Sequence, residues 1–310
     1  MANVAAVHDE DVVEVVGSAP VSVAKRKKIA FVYMNSEANI GRGAGYVAAA
    51  VREAGHEVHF YDTLYTPVEA VADDVVREGV DVLMISSMTM IFTEALKLIR
   101  LVKSRIEIPV LLGGIHPTLE KEKILREHPE IDFVCVGEGE TMVLDFLDRF
   151  QSGDYASISN LLYRVGDKIH GNPLAPATDL ATLAPFPWDW FPRDAVVLPE
   201  TRFCYVTASR GCPYSCTYCC NVVYLKAYKK SYLRTRPVDD VIEELKYLKK
   251  NHDPWLFYFA DEMLLFDLDY VRELFTRFRK EIGGRFGLQG RVEYLDDETV
   301  AYLAKCGCRT

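Results

Sequence analysis

Short apolar runs alternate with amphipathic stretches between residues 27 and 150. Runs that are apolar throughout are typical of parallel strands buried on both faces, and the amphipathic stretches predict the helices that cover them. The predicted strands are Ile29–Met34, Val58–Tyr61, Val80–Ile85, Val110–Leu112 and Phe133–Val136. The predicted helices cover residues 43–54, 67–78, 92–104, 117–127 and 140–150. Five such units predict a flavodoxin-like, doubly wound α/β domain at residues 27–150, with its ligand site at the carboxyl ends of the strands.

A second alternation of strands and helices occupies residues 201–310. Its predicted strands are Arg202–Thr207, Trp255–Ala260 and Phe286–Gly290, and its predicted helices cover residues 238–250, 268–280 and 296–305. Three βα units of this kind predict part of a barrel, whose active site lies at the carboxyl ends of the strands.

The segments outside these two alternations differ from them in composition. Residues 1–26 mix valine, alanine and acidic residues without a sustained period and predict a flexible leader. Residues 151–200 are rich in proline and predict an extended connector, in which Leu161–Ile169 forms a small hairpin with a Gly-Asp turn. The aromatic side chains of this connector are expected to pack between the two domains.

The bulk composition narrows the range of functions. A chain of 310 residues with 49% hydrophobic content is long enough for two globular domains. A net charge of −9 argues against a general nucleic-acid binder, which needs a basic surface. No apolar run reaches the ~18 residues that a membrane span needs, and we expect no secretory signal. Eight cysteines without such a signal predict a reducing cytoplasm, where thiols are available for metal.

Three cysteines with the spacing Cys-x-x-x-Cys-x-x-Cys follow the strand at Arg202–Thr207: Cys212, Cys216 and Cys219. Thiolates this close in the chain must converge on one centre. Three thiolates hold three irons of a [4Fe–4S] cluster and leave the fourth iron open, as in reactive metal sites. The alternative is a structural zinc site with Cys220 or another residue as fourth ligand. Such sites usually pair Cys-x-x-Cys with a second, distant pair, which this sequence lacks.

The cysteine motif, with Tyr218 directly before its last cysteine, resembles the signature of the radical S-adenosylmethionine (SAM) superfamily. The resemblance implies that the three cysteines hold the cluster, that SAM binds its open iron, and that Tyr218 lies against the adenine. The superfamily binds the SAM amino group through a short motif after the second strand, where Asp261 and Glu262 stand here. Helix capping is an equally open role for them. Arg291 either faces the cofactor or substrate or forms a surface salt bridge.

The loops that follow the third, fourth and fifth strands of the first domain are rich in small residues. They contain Ser86, Ser87 and Met88, then Gly113, Gly114 and His116, then Gly137, Glu138 and Gly139. Glycines let a backbone approach a ligand closely. Loops of α/β domains are commonly rich in glycine and serine, so composition alone leaves a ligand site and an ordinary loop equally open.

The first domain resembles the cobalamin-binding domain that precedes the radical SAM core in one large class of these enzymes. Better-known cobalamin domains carry Asp-x-His-x-x-Gly after the first strand, then Ser-x-Leu, then Gly-Gly. Ser86-Ser87-Met88 stands near the second element and Gly113-Gly114 matches the third, so the resemblance implies that the three small-residue loops bind cobalamin. Residues 35–41 contain no histidine, so we expect the cobalt to have no histidine ligand from this protein. His116 follows the fourth strand, which favours capping or a contact with the cobalamin tail over ligation.

Together the resemblances imply a cytoplasmic, cobalamin-dependent radical SAM enzyme. Its reduced cluster would cleave SAM to a 5′-deoxyadenosyl radical, and methylcobalamin would deliver a methyl group to an unactivated carbon of a small-molecule substrate. An electron donor such as flavodoxin or ferredoxin would reduce the cluster. Cyclisation or rearrangement, a first domain that serves only as a scaffold, and a non-catalytic cobalamin- and iron–sulfur-binding fragment are the alternatives. The superfamily barrel has more βα units than the three found here, which predicts an incomplete, C-terminally truncated barrel.

Overall fold

The computed structural model describes residues 26–37 and 39–310. The predicted leader at residues 1–26 therefore lies, except for Arg26, outside the described residues. Every helix in the described part of the chain is too short or too polar to cross a bilayer.

The first sheet contains five parallel strands in the order β2-β1-β3-β4-β5. This order is that of a flavodoxin-like, doubly wound sheet, as the sequence pattern predicts. The strands are β1 (Lys28–Tyr33), β2 (Glu57–Asp62), β3 (Val82–Ser86), β4 (Val110–Gly113) and β5 (Phe133–Cys135). The helices are α1 (Arg42–Glu53), α2 (Val68–Glu78), α3 (Phe92–Lys103), α4 (Ile115–Glu120), α5 (Glu122–Glu127) and α6 (Met142–Arg149).

Helices cover both faces of this sheet because alternate residues of each strand point to opposite sides. Ile29 and Phe31 pack with residues of α1 and α6, whereas Ala30 and Val32 pack with residues of α2 and α3. One helix differs from the prediction. The single helix expected over residues 117–127 is divided into α4 and α5 at Lys121, whose φ of +50° interrupts the helical backbone.

A hairpin extends the first sheet beyond β5, and it confirms the hairpin predicted in the connector. Its strands are β6 (Leu161–Val165) and β7 (Lys168–Gly171), and β6 pairs antiparallel with β5. The turn contains Gly166 and Asp167.

Aromatic side chains of the connector fill the space between the two sheets, as predicted. The ring of Phe186 lies 5.1 Å from that of Tyr46 on α1, centroid to centroid. The indole nitrogen of Trp188 donates to Glu244 on α9 (Val238–His252) at 2.9 Å. The connector therefore contacts both halves of the protein.

The second sheet contains three parallel strands in the order β12-β11-β8. They are β8 (Phe203–Val206), β11 (Leu256–Phe259) and β12 (Phe286–Leu288). The remaining elements are α7 (Arg193–Val196), β9 (Ser209–Arg210), α8 (Asn221–Tyr228), β10 (Arg234–Thr235), α10 (Leu268–Arg277) and α11 (Asp297–Cys306). After α11 the chain returns beside β12, where Phe286 and Cys308 form a parallel bridge. The three predicted βα units and their sequential, barrel-like order are confirmed.

Two glycines of α1 provide a matched test of the contact between α1 and the connector. A Cβ atom at Gly45 would overlap the ring of Phe186, whereas a Cβ atom at Gly43 would meet open space. Gly43→Ala should raise the free energy of unfolding by up to about 1 kcal/mol, because alanine favours the helix. Gly45→Ala should lower it by about 1–3 kcal/mol through overpacking. Urea unfolding measures both, and equal effects would contradict the contact.

Candidate active site

A cavity of about 740 Å³ lies between the two domains. The first domain contributes the loops that follow β1, β3, β4 and β5. The second domain contributes β8, the start of α8 and the residues after β11. Ligand sites of doubly wound sheets and of βα barrels both lie at the carboxyl ends of their strands. The two sheets thus present their binding edges to one shared space.

Almost all residues that the sequence assigns to cobalamin line this cavity. They are Ser86, Ser87, Met88, Gly113, Gly114, Gly137, Glu138 and Gly139. His116 is the exception, since it is buried, with its ring tilted by 39° against that of Phe92 at 4.1 Å between centroids. Its Nδ1 lies 3.1 Å from the hydroxyl of Thr89, and burial lowers the pKa of His116. These contacts give His116 a role in packing the loop after β4.

Two of the lining glycines are required by their surroundings. Gly114 has a φ of +100°, and a Cβ atom there would lie 2.6 Å from the carbonyl oxygen of Ser87. Gly137 has a φ of +86°, and a Cβ atom there would overlap the hydroxyl of Tyr228 on α8. Gly114 thus allows two backbone segments to meet at the cavity wall, and Gly137 leaves room for the Tyr228 hydroxyl.

The loop after β1 is held against the cavity by polar contacts. The hydroxyl of Tyr33 donates to Asn39 at 2.5 Å, and the amide of Asn35 donates to Asp62 at 3.1 Å. Burial raises the pKa of Tyr33, so its hydroxyl remains a donor at neutral pH. Gly41 lies flat on the Tyr33 ring, where any Cβ atom would come within 2.6 Å of it. The described residues that line the cavity include no histidine from this loop or elsewhere.

The cysteine loop, residues 211–220, carries its three motif thiols at partly buried positions. Burial raises the pKa of Cys212, and the neighbouring Cys219 and Cys216 raise it further. The thiols therefore lie within electrostatic range of one another, and all eight cysteines are free. Within the described residues, no group of three cysteine, histidine or acidic side chains has the arrangement of a metal site. The donor set itself, three thiols on one short loop, fits an iron–sulfur cluster and offers soft ligands.

Two residues assigned to SAM lie on the outer side of the cysteine loop. Tyr218 is 90% exposed. The guanidinium of Arg291 lies 4.0 Å above the ring of Tyr214, and Arg291 also pairs with Glu293 at 2.5 Å on the surface. A contact of either Tyr218 or Arg291 with SAM stays a prediction.

The two adjacent carboxylates after β11 occupy different environments. Asp261 is fully buried and accepts hydrogen bonds from the backbone of Ala208 at 2.9 Å and of Ser209 at 2.5 Å. The hydroxyl of Ser209 donates to the same oxygen at 2.5 Å. Asp261 thus fixes the backbone that leads into the cysteine loop. Glu262 lines the cavity.

A buried ion-pair cluster joins the loop after β5 to the base of the cysteine loop. Arg210 donates to Glu140 at 2.8 Å and lies 3.4 Å from Glu138. Arg234 contacts both oxygens of Glu138, at 2.5 and 3.0 Å. Burial alone would raise the pKa of Glu138, but the hydrogen bond from Arg234 and the two guanidinium charges lower it to about 2. Glu138 is therefore ionised at neutral pH.

The first domain matches a family model, and most of the chain matches known proteins. Residues 39–147 match the B12 binding domain. An uncharacterised methyltransferase of Pyrococcus horikoshii, PH0819, is 27% identical over 86% of this chain and 59% of its own length. The anaerobic magnesium-protoporphyrin IX monomethyl ester cyclase of Rubrivivax gelatinosus is 26% identical over 83% of this chain and 48% of its own length.

Solved structures have the same fold over most of the chain. The cobalamin-dependent SAM radical enzyme OxsB superposes with a TM-score of 0.77 and 15% identity, over 92% of this chain and 43% of OxsB. The radical SAM methyltransferase TsrM of Kitasatospora setae superposes with a TM-score of 0.71 and 17% identity, over 91% of this chain and 60% of TsrM.

The chain is therefore similar to cobalamin-dependent radical SAM enzymes over most of its length. Residues 39–147, which include β2 to β5, match the B12 binding domain, and both sheets have the fold of the corresponding part of OxsB and TsrM. The chain spans about half the length of the relatives it matches, 48–59% for the two named above.

Several residues of the shared cavity were not anticipated from the sequence. Cys220, outside the cluster motif, lines the cavity, as do Tyr224 and Tyr232 from α8 and the turn that follows it. The rings of these two tyrosines stack at 5.7 Å between centroids. Arg210 also lines the cavity. Its position two residues before Cys212 indicates that it lies near the cysteine loop. The sequence does not identify its partners, because they lie about 70 residues away in the chain.

The buried carboxyl of Asp261 predicts a measurable pH dependence. Burial raises the pKa of Asp261 to about 6, despite the hydrogen bonds from Ser209 and Ala208. In the unfolded chain it titrates near 3.9, so the folded protein binds more protons between about pH 4 and pH 6. Stability from this group is therefore complete below about pH 4 and is lost as the pH rises through about 6, by roughly 3 kcal/mol.

Urea unfolding of the cluster-free protein from about pH 4.5 to 7 checks this expectation. Asp261→Asn should remove this component of the pH dependence. Asp296→Asn, which alters an exposed helix cap, should retain the wild-type slope. Identical slopes for the wild type and Asp261→Asn would contradict the assignment.

Proposed function

We propose that this protein binds cobalamin in the cavity between its domains and a [4Fe–4S] cluster with SAM at the cysteine loop, and that it takes part in radical methyl transfer to a carbon of a small molecule. The observation that carries the proposal is the shared cavity. Glycine- and serine-rich loops of a B12 binding domain and residues flanking the three-cysteine motif line the same space.

The lining of the cavity suits a large, partly apolar cofactor. The loops after β3, β4 and β5 present small side chains and backbone groups, which allow close approach of a broad ring. Phe31, Met84 and Leu111 supply apolar surface beneath them. A volume of about 740 Å³ lies in the range of cofactor pockets. Because the described lining residues include no histidine, the cobalt would receive no imidazole from these cavity loops.

At the cysteine loop, Cys212, Cys216 and Cys219 would hold three irons and leave the fourth for SAM. When bound, these groups supply the electron transfer, radical formation and methyl transfer. The chain's own residues orient them. Asp261 fixes the backbone before the cysteines, and Glu262 presents a carboxylate to the cavity, where it would accept hydrogen bonds from the SAM amino group.

The proposed cluster and the free cysteines would require a reducing environment. All eight cysteines are free, and a cluster with an open iron needs protection from oxygen. We therefore place the protein in the cytoplasm, with a small electron-transfer protein such as flavodoxin or ferredoxin as its reductant.

A cyclisation is the second candidate reaction. The Rubrivivax gelatinosus relative, named as a cyclase, is as similar to this chain as the Pyrococcus horikoshii methyltransferase, at 26% and 27% identity. SAM with a deuterated methyl group separates the two reactions. Methyl transfer carries the label into the product, whereas cyclisation does not.

Anaerobic reconstitution with iron and sulfide tests the cluster assignment. The wild type should bind about four irons per chain. Replacement of any one motif cysteine should reduce the iron and sulfide content to a small fraction of the wild-type value and abolish the EPR signal of the reduced cluster. The variants are Cys212→Ala, Cys216→Ala and Cys219→Ala. Cys220→Ala, which changes the adjacent thiol, is the matched control and should retain the wild-type iron content. Loss of iron in Cys220→Ala as well as in the three motif variants would favour a four-thiolate site instead.

Desalting after incubation with hydroxocobalamin tests the first domain. The wild type should retain the corrinoid absorbance, and the retained cobalamin, once reduced to cobalt(II), should show no nitrogen splitting from a histidine in its EPR spectrum. Absence of retained absorbance would exclude the cobalamin role.

A further inference from the structure

The loop of residues 137–140, here named the acidic loop, contacts the second domain through both of its carboxylates. Glu140 accepts from Arg210 at 2.8 Å, and Glu138 lies 3.4 Å from the same guanidinium. The side chains of Glu138 and Glu140 are each 7% exposed. Arg210 is two residues before Cys212, so the contact acts at the base of the cysteine loop.

Glu138 separates two arginines that face each other. Arg210 of β9 and Arg234 of β10 are direct partners in an antiparallel ladder. Like charges at such positions repel, and burial strengthens the repulsion. Glu138 accepts from Arg234 at 2.5 Å and carries the opposite charge close to both guanidinium groups. The two-stranded ribbon that precedes and follows the cysteine segment is therefore held in shape by a residue of the first domain.

The acidic loop also contacts the chain beyond the cysteines. The backbone N–H of Glu138 donates to the hydroxyl of Tyr228 at 3.0 Å. Tyr228 ends α8, which starts directly after Cys220. Its hydroxyl occupies the place that a side chain at Gly137 would take. The loop thus touches the cysteine segment on both of its sides.

The same loop forms part of the cavity wall. Gly137, Glu138, Gly139 and Glu140 all line the cavity. A ligand that fills the cavity fixes this backbone, and the contacts with Arg210, Arg234 and Tyr228 carry that order to the cysteine loop.

We propose that Glu138 is a positioning residue that couples the two cofactor sites, so that a corrinoid in the cavity and a cluster on the cysteines each favour the binding of the other. The coupling rests on the proposed function, since it requires both ligands to bind. Linkage makes the effect reciprocal: the factor by which the cluster tightens cobalamin binding equals the factor by which cobalamin tightens cluster binding. If Glu138 only stabilised the fold, its loss would lower stability and weaken the binding of both ligands. The ratio of the cobalamin Kd without the cluster to that with the cluster would then stay unchanged.

The test measures the Kd of hydroxocobalamin by equilibrium dialysis under anaerobic conditions, for cluster-free and for cluster-loaded protein. In the wild type the cluster should tighten cobalamin binding by about 5-fold or more. In Glu138→Gln both ligands should still bind, but the ratio of the two Kd values should fall to within about twofold of one. A ratio of one in the wild type, or a wild-type ratio in Glu138→Gln, would overturn the coupling.

Glu244→Gln is the matched control. Glu244 is also a buried carboxylate between two arginines, Arg236 and Arg42, at another contact between the domains. Among the described residues its ion pairs are with Arg42 and Arg236, which lie outside the acidic loop and the cysteine loop. Glu244→Gln should therefore lower the melting temperature and keep the wild-type ratio. A loss of the ratio in Glu244→Gln equal to that in Glu138→Gln would reduce the role of Glu138 to general stability and overturn the proposal.

Tyr228→Phe keeps all charges and provides a second variant if circular dichroism shows that Glu138→Gln does not fold. It removes the acceptor for the Glu138 backbone and should lower the ratio, whereas a wild-type ratio would contradict the coupling. Binding experiments with one ligand at a time distinguish the proposed function from the coupling. If the wild type fails to bind hydroxocobalamin by itself, or iron by itself, the proposed function is contradicted, and with it the coupling. Independent binding of both contradicts only the coupling.

Discussion

The burial of charged groups between the two domains is the constraint on which the site depends. Glu138 lies between Arg210 and Arg234, and Glu244 lies between Arg42 and Arg236. Desolvation of such groups is costly, and it is offset only when every partner is in place. Loss of one partner typically costs about 3–5 kcal/mol. The arrangement of the domains is therefore specified at two points, and the cavity lies between those points with its shape fixed by both.

The neighbouring residues Asp261 and Glu262 illustrate how position along one strand end decides a role. Both residues lie beyond the end of β11. The side chain of Asp261 accepts from the backbone of Ala208 and Ser209, whereas Glu262 reaches the cavity. The sequence motif assigned either carboxylate to SAM, since residue type does not distinguish the two. Burial distinguishes them, because the carboxylate of Asp261, which holds the backbone before the cysteine loop, is inaccessible to a ligand.

The parts of the fold that follow from local patterns could be predicted from the sequence. The five strands of the first sheet, the Gly166-Asp167 hairpin and the three βα units of the second domain each depend on residues close together in the chain. The division of one helix at Lys121 could not be predicted, because a lysine with positive φ has no composition signal. Nor could the pairing of Glu138 with Arg234, which are 96 residues apart. Periodicity identifies the buried face of an element but not its partner.

The similarity to relatives of different reaction types indicates what the matched residues do. A methyltransferase and a cyclase are equally similar to this chain over more than four fifths of it, at 27% and 26% identity. Such matches extend over both domains, so what they indicate is a shared fold rather than one particular reaction. Under the proposed function, the choice between methylation and cyclisation would then depend on how a substrate is placed against the cofactors, because one fold supports several reactions.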